Sequence, residues 1–464
     1  MHIVFVHAPV PHRMVPGRGE YWKAFDDRYM KAHPGFRPLR KTLWELPHWI
    51  LWLAGVLENA GYSSLQALEL YTLCPVLNGV DEDLAARAIR DAPGDVYLLS
   101  PMAVNLPQAL RIAQLIKSEH PRAVVVFGGV AATPLDEEVA SSPHVDYVLR
   151  GRAEIALPLL MDAIASGGET SRIRGVTGTW QGRVRRVEGT YADVPPGRIP
   201  FPRVDLFDSS SGQDIRYIRQ NYALGCPFTC EFCTIQTIGR SPGYFPPQRV
   251  LDEIAAYRTH YGDHHHVYFG DETFTLNLDR TREICSVLAA EGGIEFDAQT
   301  RLNCLRNPEL PAMLHAGGCR WIEIGLESLN TRSQDLFKQH TDTASLERTL
   351  DRLVTAGIGT CTFLIMGLPN ESVDDMRRTV DRACSLLARG LLTASYVSVF
   401  VPYPGTAMFD RPADYGMRLH HRSYDLFHED LPPVYDSASA RSDEVYEVFL
   451  EAVSLFTTEM RNGH

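Results

Sequence analysis

The chain reads as an α/β protein made of a doubly wound parallel sheet, a partial (β/α)6 barrel and a small C-terminal helical cap. Three observations predict this. Short apolar runs separated by helical stretches recur through the first 151 residues, from IVFVHAP at 3–9 to VDYVLRG at 145–151. From residue 216 a strand-like run followed by a helix-length segment repeats about six times. Beyond residue 405 the repeat stops, and SDEVYEVFLEAVSLFTTEM reads as one long helix. The expected division is 1–165 for the doubly wound domain, 166–215 for a linker with a small hairpin, 216–405 for the barrel and 406–464 for the cap.

In the first domain, the strand at 3–9 ends at proline, and the helical spacing at 47–60 stops at Gly61, a natural C-cap. The insertion between them, 10–46, is rich in Arg, Trp, Tyr and Pro. Its aromatic content argues against disorder, and it reads as a cover, a pocket wall or plain surface packing. Strands at 96–100, 123–129 and 145–151 alternate with helices near 107–119 and 134–141. Ligands of such a sheet bind beyond the carboxyl ends of its strands. Those ends carry Ser100, Gly128, Gly129, Thr133, Gly151 and Glu154. Glycine there lets backbone approach a ligand, although tight turns account for it equally well. There is no GxGxxG, so nothing supports a dinucleotide site.

GVTGTWQGRVRRVEGTY then suggests a hairpin, and VPPGRIPFPRVDLFD an extended connector. Barrel strands follow at 216–224, 266–272, 294–302, 320–328, 360–369 and 394–405. His264, His265 and His266 precede the second of these, at the end opposite the active face, and read as a polar turn.

Composition narrows the function. The 464 residues, 45% of them hydrophobic, suffice for two or three domains. A net charge of −12 argues against a phosphate-binding surface, so nucleic acid is not an expected partner. Cys74, Cys285, Cys304, Cys319, Cys361 and Cys384 are scattered singly, as small buried apolar groups are. The opening MHIVFVHAPVPHR lacks the features of a secretory signal, and the apolar run at 46–62 is too short and interrupted to span a bilayer. The expected location is the cytoplasm.

The remaining three cysteines carry the chemistry. NYALGCPFTCEFCTIQTIG at 221–239 places Cys226, Cys230 and Cys233 in a CxxxCxxC array, with Phe232 before the last. Clustered thiolates suit zinc or an iron–sulfur cluster. Zinc would want a fourth ligand, and no cysteine or histidine follows before residue 260. Three thiolates on a four-iron cluster leave one iron open. The loop also follows the first barrel strand, on the face where barrels place their chemistry. Other strand ends offer Asp271, Glu272 and Thr273, then Gln299, Thr300 and Arg301, then Glu327 and Ser328, then Met366, Gly367 and Leu368, and finally Val401. A guanidinium is suited to a carboxylate, and an internal ion pair is the competing reading for Arg301.

The cysteine spacing with its aromatic resembles the radical S-adenosylmethionine superfamily. The domain order resembles the branch of that superfamily in which a Rossmann-like cobalamin-binding domain precedes the barrel. FGGVAATPLDEEVA resembles that branch's GGxHxT loop, with Ala131 at the usual histidine. LRGRAEIALPLLM resembles its GEGE segment, with Arg152 and Ala153 in place of Glu-Gly. No DxHxxG is present, so the resemblance implies cobalamin without a lower histidine ligand from that motif, or a domain kept only as scaffold.

What the resemblance implies is a four-iron four-sulfur cluster on Cys226, Cys230 and Cys233. It further implies S-adenosylmethionine against Phe232, its amino group at Asp271, Glu272 and Thr273, and its carboxylate at Arg301 beside Thr300. The ribose would lie at Glu327 and the adenine at Gly367 and Val401. Cobalamin would lie over Ser100, Gly128, Gly129, Thr133, Gly151 and Glu154. The implied activity is methylation of an unactivated carbon or phosphorus, with ring formation or rearrangement as the runner-up. Implied partners are a small-molecule or peptide substrate and an external electron donor such as flavodoxin or ferredoxin. A non-catalytic cobalamin-binding protein would not need the intact cysteines. An RNA methylthiotransferase would want a second cysteine cluster and a basic tail.

Overall fold

The computed structural model describes residues 1–11, 15–33, 46–71, 73, 80–208, 217–239, 241–262, 266–338 and 343–462. The first domain contains β1 (Ile3–His7), α1 (Arg18–Ala32), α2 (His48–Asn59), β2 (Leu65–Glu69), α3 (Glu82–Arg90), β3 (Val96–Leu99), α4 (Leu106–Glu119), β4 (Val124–Phe127), β5 (Tyr147–Leu149) and α5 (Ala156–Ser166). β6 (Val176–Trp180) and β7 (Arg183–Arg186) are the expected hairpin. These strands form one sheet in the order β2-β1-β3-β4-β5-β6-β7. The first five are parallel and the last two antiparallel.

Alternation along each strand divides the apolar residues between two cores. Val4, Val6, Tyr97, Leu99 and Phe127 face one, and Ile3, Phe5, Val96, Leu98 and Val126 face the other. Burial on both faces explains why these runs read as continuously apolar. β2 escapes such a reading because it is a half-buried edge strand of sequence LQALE. The expected helix at 134–141 is shorter, spanning Asp136–Ala140. The insertion at 10–46 contains α1; its residues 12–14 and 34–45 lie outside the described residues.

The second sheet runs β13-β12-β11-β10-β9-β8 and is wholly parallel. Its strands are β8 (Tyr217–Gln220), β9 (His266–Phe269), β10 (Phe296–Arg301), β11 (Cys319–Glu327), β12 (Gly359–Met366) and β13 (Ala394–Val399). The connecting helices are α6 (Pro247–Tyr261), α7 (Leu278–Glu291), α8 (Leu310–Ala316), α9 (Leu346–Thr355) and α10 (Val373–Ala388). Two of their starts are fixed locally: Asn277 caps α7, and Ser372 with Asp375 forms a capping box on α10. His264 and His265 fall outside the described residues. His266 is not in a polar turn: it opens β9, and its side chain is buried beside Asp297.

α11 (Ser442–Asn462) buries Val445, Val448, Phe449, Val453 and Phe456 against α10, the edge strand β13 and α1. The cap thus includes a helix from the N-terminal insertion. Arg18 of α1 fastens it. Its guanidinium donates to the Val397 carbonyl at 2.9 Å, pairs with Asp430 at 2.7 Å and lies 4.5 Å from the Tyr21 ring centre.

The proline-rich connector lies between α2 and α6. Arg203 N–H donates to the Leu51 carbonyl at 2.9 Å, and Arg249 Nη2 donates to the Pro200 carbonyl at 2.7 Å. A Cβ on Gly55 would lie 1.9 Å from the Phe201 carbonyl oxygen, so only glycine permits this approach. Among the described residues no helix is long and apolar enough to cross a membrane.

Breaking a buried ion pair leaves its partner charge uncompensated. Arg18→Ala is therefore expected to cost about 3 kcal/mol, read as a lower urea midpoint.

Candidate active site

The cysteine loop begins where β8 ends. Asp271, at the carboxyl end of β9, accepts the Tyr222 and Ala223 N–H groups at 2.8 and 2.7 Å through Oδ1. Ala223–Leu224 then pairs with Gly243–Tyr244 before the chain turns into the loop. Within it, Gln236 Nε2 donates to the Cys230 carbonyl at 2.9 Å and Glu231 N–H to the Phe337 carbonyl at 3.0 Å. The Tyr415 hydroxyl, from the cap, donates to Glu231 at 2.8 Å. Phe232 packs with Phe337, Leu368 and Phe400.

Cys226 and Cys230 are buried and Cys233 half-buried. Burial pushes the Cys226 thiol upward and the Cys233 thiol up to about 11, and the neighbouring cysteines add to both shifts. Keeping three thiolates here thus calls for a bound metal or nearby cations. One cation is present: Arg301 Nη1 lies 2.8 Å from Cys230 Sγ, with the guanidinium 4.0 Å from the Phe228 ring centre. In the ligand-free chain Arg301 thus makes an internal charged contact, the kind of role that competed in the sequence with a grip on a cofactor carboxylate. The neighbouring Thr300 is also engaged internally, its hydroxyl 2.6 Å from that of Thr275.

A cavity of about 840 Å³ opens between the two sheets and is walled by both domains. Ser100, Gly129 and Gly151 line it from the first domain, and Asn221, Gly225 and Glu272 from the barrel. Gly129 has φ +84°, and a Cβ there would lie 2.2 Å from Ser100 Oγ. Gly128, Thr133 and Glu154 stand behind this surface. Gly128 N–H donates to the Leu99 carbonyl, Thr133 accepts the Gly151 N–H at 3.1 Å, and Glu154 holds Arg152 at 3.1 Å. Ala131, at the position of the family's histidine, is buried.

The acidic pair that follows β9 divides its work. Asp271 is buried away from the cavity and its carboxyl is pushed up to about 8 by burial. Glu272 faces the cavity, and its Oε2 has no hydrogen-bond partner. Burial raises its carboxyl too, opposed by Arg219 and Arg152. The Thr273 hydroxyl is turned to the Glu272 carbonyl at 2.7 Å.

At the end of β11 the register against β12 slips, and Glu327 takes φ +64°, a strained value for a residue with a side chain. Beside it, the Ser328 hydroxyl donates to Glu371, whose carboxyl burial pushes up to about 7. Gly367 has φ +93° and accepts the Tyr435 hydroxyl, joining β12 to the cap. Val401 packs with Phe409 and Phe427 in the core shared with the first domain.

Several cavity residues were not singled out in the sequence: His7, His48, Trp52 and Arg219 line it, beside Arg152 of the altered GEGE segment. His7 ends β1, bonds Glu69 at 2.9 Å and stacks on Tyr71; the strand-end rule that selected Ser100 would also have selected it. Burial and the Arg219 charge lower His48 to about 3, leaving a neutral imidazole.

Two family models match this chain: the Radical SAM superfamily over residues 221–383 and the B12 binding domain over residues 45–161. The chain belongs to the cobalamin-binding radical S-adenosylmethionine enzymes. An uncharacterised methyltransferase of Pyrococcus horikoshii is 26% identical over 348 residues, covering 72% of this chain and 74% of the relative. The anaerobic magnesium-protoporphyrin IX monomethyl ester cyclase of Cereibacter sphaeroides is 24% identical, covering 79% of this chain and 60% of its own length. The radical S-adenosylmethionine methyltransferase TsrM of Kitasatospora setae, solved with cobalamin and a four-iron four-sulfur cluster, superposes with a TM-score of 0.67. That alignment has 16% identity and covers 90% of this chain and 81% of TsrM, a likeness of fold.

The residues of this radical S-adenosylmethionine enzyme fit the groups its family uses. Three neighbouring thiols on one loop suit the cluster, the orphaned Glu272 oxygen suits a cationic amino group, and the glycine-lined cavity suits a bulky flat cofactor.

Two outcomes follow for the site. Asp271 is raised from 3.8 to about 8, so its contribution to stability is full below about pH 4 and is lost as pH rises through 8. Asp271→Asn keeps the Oδ1 acceptor, so the apo protein's urea midpoint should fall less between pH 5 and pH 8 than in wild type. Arg301→Gln removes a positive charge from the Cys230 sulfur, and should shift the reconstituted cluster's reduction potential to more negative values in an EPR redox titration.

Proposed function

We propose that this enzyme is a cobalamin-dependent radical S-adenosylmethionine methyltransferase acting on an unactivated carbon or phosphorus of a biosynthetic intermediate. The observation that carries this reading is the shared cavity: Ser100, Gly129 and Gly151 of the first domain face the same space as Gly225 and Glu272 of the barrel. When bound, the cluster supplies the electron that cleaves S-adenosylmethionine, and cobalamin carries the methyl group.

The chain's own residues would bind, orient and shield. Cys226, Cys230 and Cys233 would hold the cluster, with Arg301 offsetting negative charge at the Cys230 sulfur. Glu272 would accept from the amino group of S-adenosylmethionine with its unpartnered oxygen, and Glu327 would meet the ribose hydroxyls. Phe232, Gly367 and the cap would exclude water from the open side of the barrel. Ser100, Gly129 and Gly151 would receive cobalamin, with Gly128, Thr133 and Glu154 bracing that surface. In this reading Asp271 and Thr300 position neighbouring segments. The division into 1–165, 166–215, 216–405 and 406–464 belongs to the same reading, as do a small-molecule or peptide substrate and an external electron donor.

The cyclase among the relatives makes ring formation the second reading. The test is an anaerobic assay of the reconstituted, cobalamin-loaded protein with reductant and S-adenosylmethionine. Both 5′-deoxyadenosine and S-adenosylhomocysteine should accumulate, and Cys230→Ala should abolish the first product. Sustained 5′-deoxyadenosine without S-adenosylhomocysteine, in the presence of a consumed substrate, would favour cyclisation.

A further inference from the structure

At the amino end of the barrel, away from the cysteine loop, two imidazoles and one carboxylate converge. His33 follows α1, His266 opens β9, and Asp297 is the second residue of β10. His33 Nε2 lies 2.8 Å and His266 Nε2 2.9 Å from the same oxygen, Asp297 Oδ1. The ligating atoms of all three lie within 4.8 Å of one another. The side chains of His33 and Asp297 are each 2% exposed and that of His266 8%.

The hydrogen bonds around the group fix its chemistry. His33 Nδ1 is 2.8 Å from the Tyr29 carbonyl oxygen, which can only accept, so Nδ1 carries a proton. In a neutral ring Nε2 then presents a lone pair to the carboxylate. Opposed lone pairs at that distance repel, so a positive charge belongs between them, either a second ring proton or a metal ion. A second imidazole faces the same oxygen: His266 Nε2 is buried 2.9 Å from Asp297 Oδ1 without a well-aimed hydrogen bond, so two ring nitrogens crowd one carboxylate oxygen. The rings of His33 and His266 also stand 4.4 Å apart, where two imidazolium charges would repel. A backbone carbonyl on Nδ1 with Nε2 facing inward is the arrangement that orients metal-bound histidine. The Tyr29 hydroxyl donates to Asp297 Oδ2 and holds the carboxylate in turn.

We infer that His33, His266 and Asp297 form a structural site for a divalent cation of the zinc class, pinning the end of α1 to the barrel. Two imidazoles and a carboxylate are a zinc-type donor set. Seating the ion at about 2.0–2.1 Å from each nitrogen requires the three donors to spread by a few tenths of an ångström. This site is distinct from the cofactor cavity and takes no part in the proposed reaction.

The test uses the full chain with its iron–sulfur cluster reconstituted, so that the loop cysteines are already filled. The protein is exposed to zinc, desalted into metal-free buffer, and analysed by mass spectrometry and zinc X-ray absorption. The expected result is about one zinc per chain, a first shell of nitrogen and oxygen only, and imidazole scattering beyond it. His33→Gln and His266→Gln should each weaken zinc retention at least tenfold. Zinc below about a tenth of an equivalent, sulfur in its first shell, or equal retention by both variants overturns the proposal. If either variant does not fold, the metal content and absorption spectrum of the wild type decide alone.

Discussion

The close contact between α2 and the connector is the constraint on which the molecule depends. Each parallel sheet leaves its ligand-facing groups at the carboxyl ends of its strands, and a joint site exists only if those ends meet. Gly55 lets the Phe201 carbonyl come against the helix, while Arg203 and Arg249 bond the connector on either side. With the connector held, the cavity acquires one wall from each domain. A bulkier residue at position 55 would act on cofactor geometry without touching a cofactor.

The site itself is locally unfavourable. It contains buried thiols, a carboxylate oxygen without a partner in Glu272, and a strained backbone at Glu327. Each raises the energy of the ligand-free protein and has a use once charged groups are bound. The compensating stability lies elsewhere, in the apolar layers on both faces of the first sheet and beneath the barrel helices. Arg18 shows the same division: its charge is buried against β13 and Asp430 and serves assembly of the cap.

Much of this was legible in the sequence because it is local. The cysteine array, the apolar strand runs and the glycines at their ends are contiguous patterns, and each falls where the strand-end rule places it. What was hidden depends on distant partners. Arg301 has the right chemistry for a carboxylate, but the sequence does not reveal that Cys230 lies 2.8 Å away. Asp271 and Glu272 are adjacent in the chain, yet in the turn after β9 one reaches the backbone of residues 222–223 and the other the cavity. His266 reads as a turn residue until β10 and the end of α1 bring Asp297 and His33 to it. β2 was missed because an edge strand needs few apolar residues.

The hairpin β6–β7 also determines how the molecule meets its own kind. It ends the first sheet with the strand RVRR, in which Arg183, Arg185 and Arg186 are exposed and Arg186 bonds inward, to Asp136. An open sheet edge is a template for another strand at a spacing of about 4.8 Å. A second copy offering the same edge would bring two rows of guanidinium groups to that distance. The residues that complete the sheet therefore also keep crowded copies from joining along it.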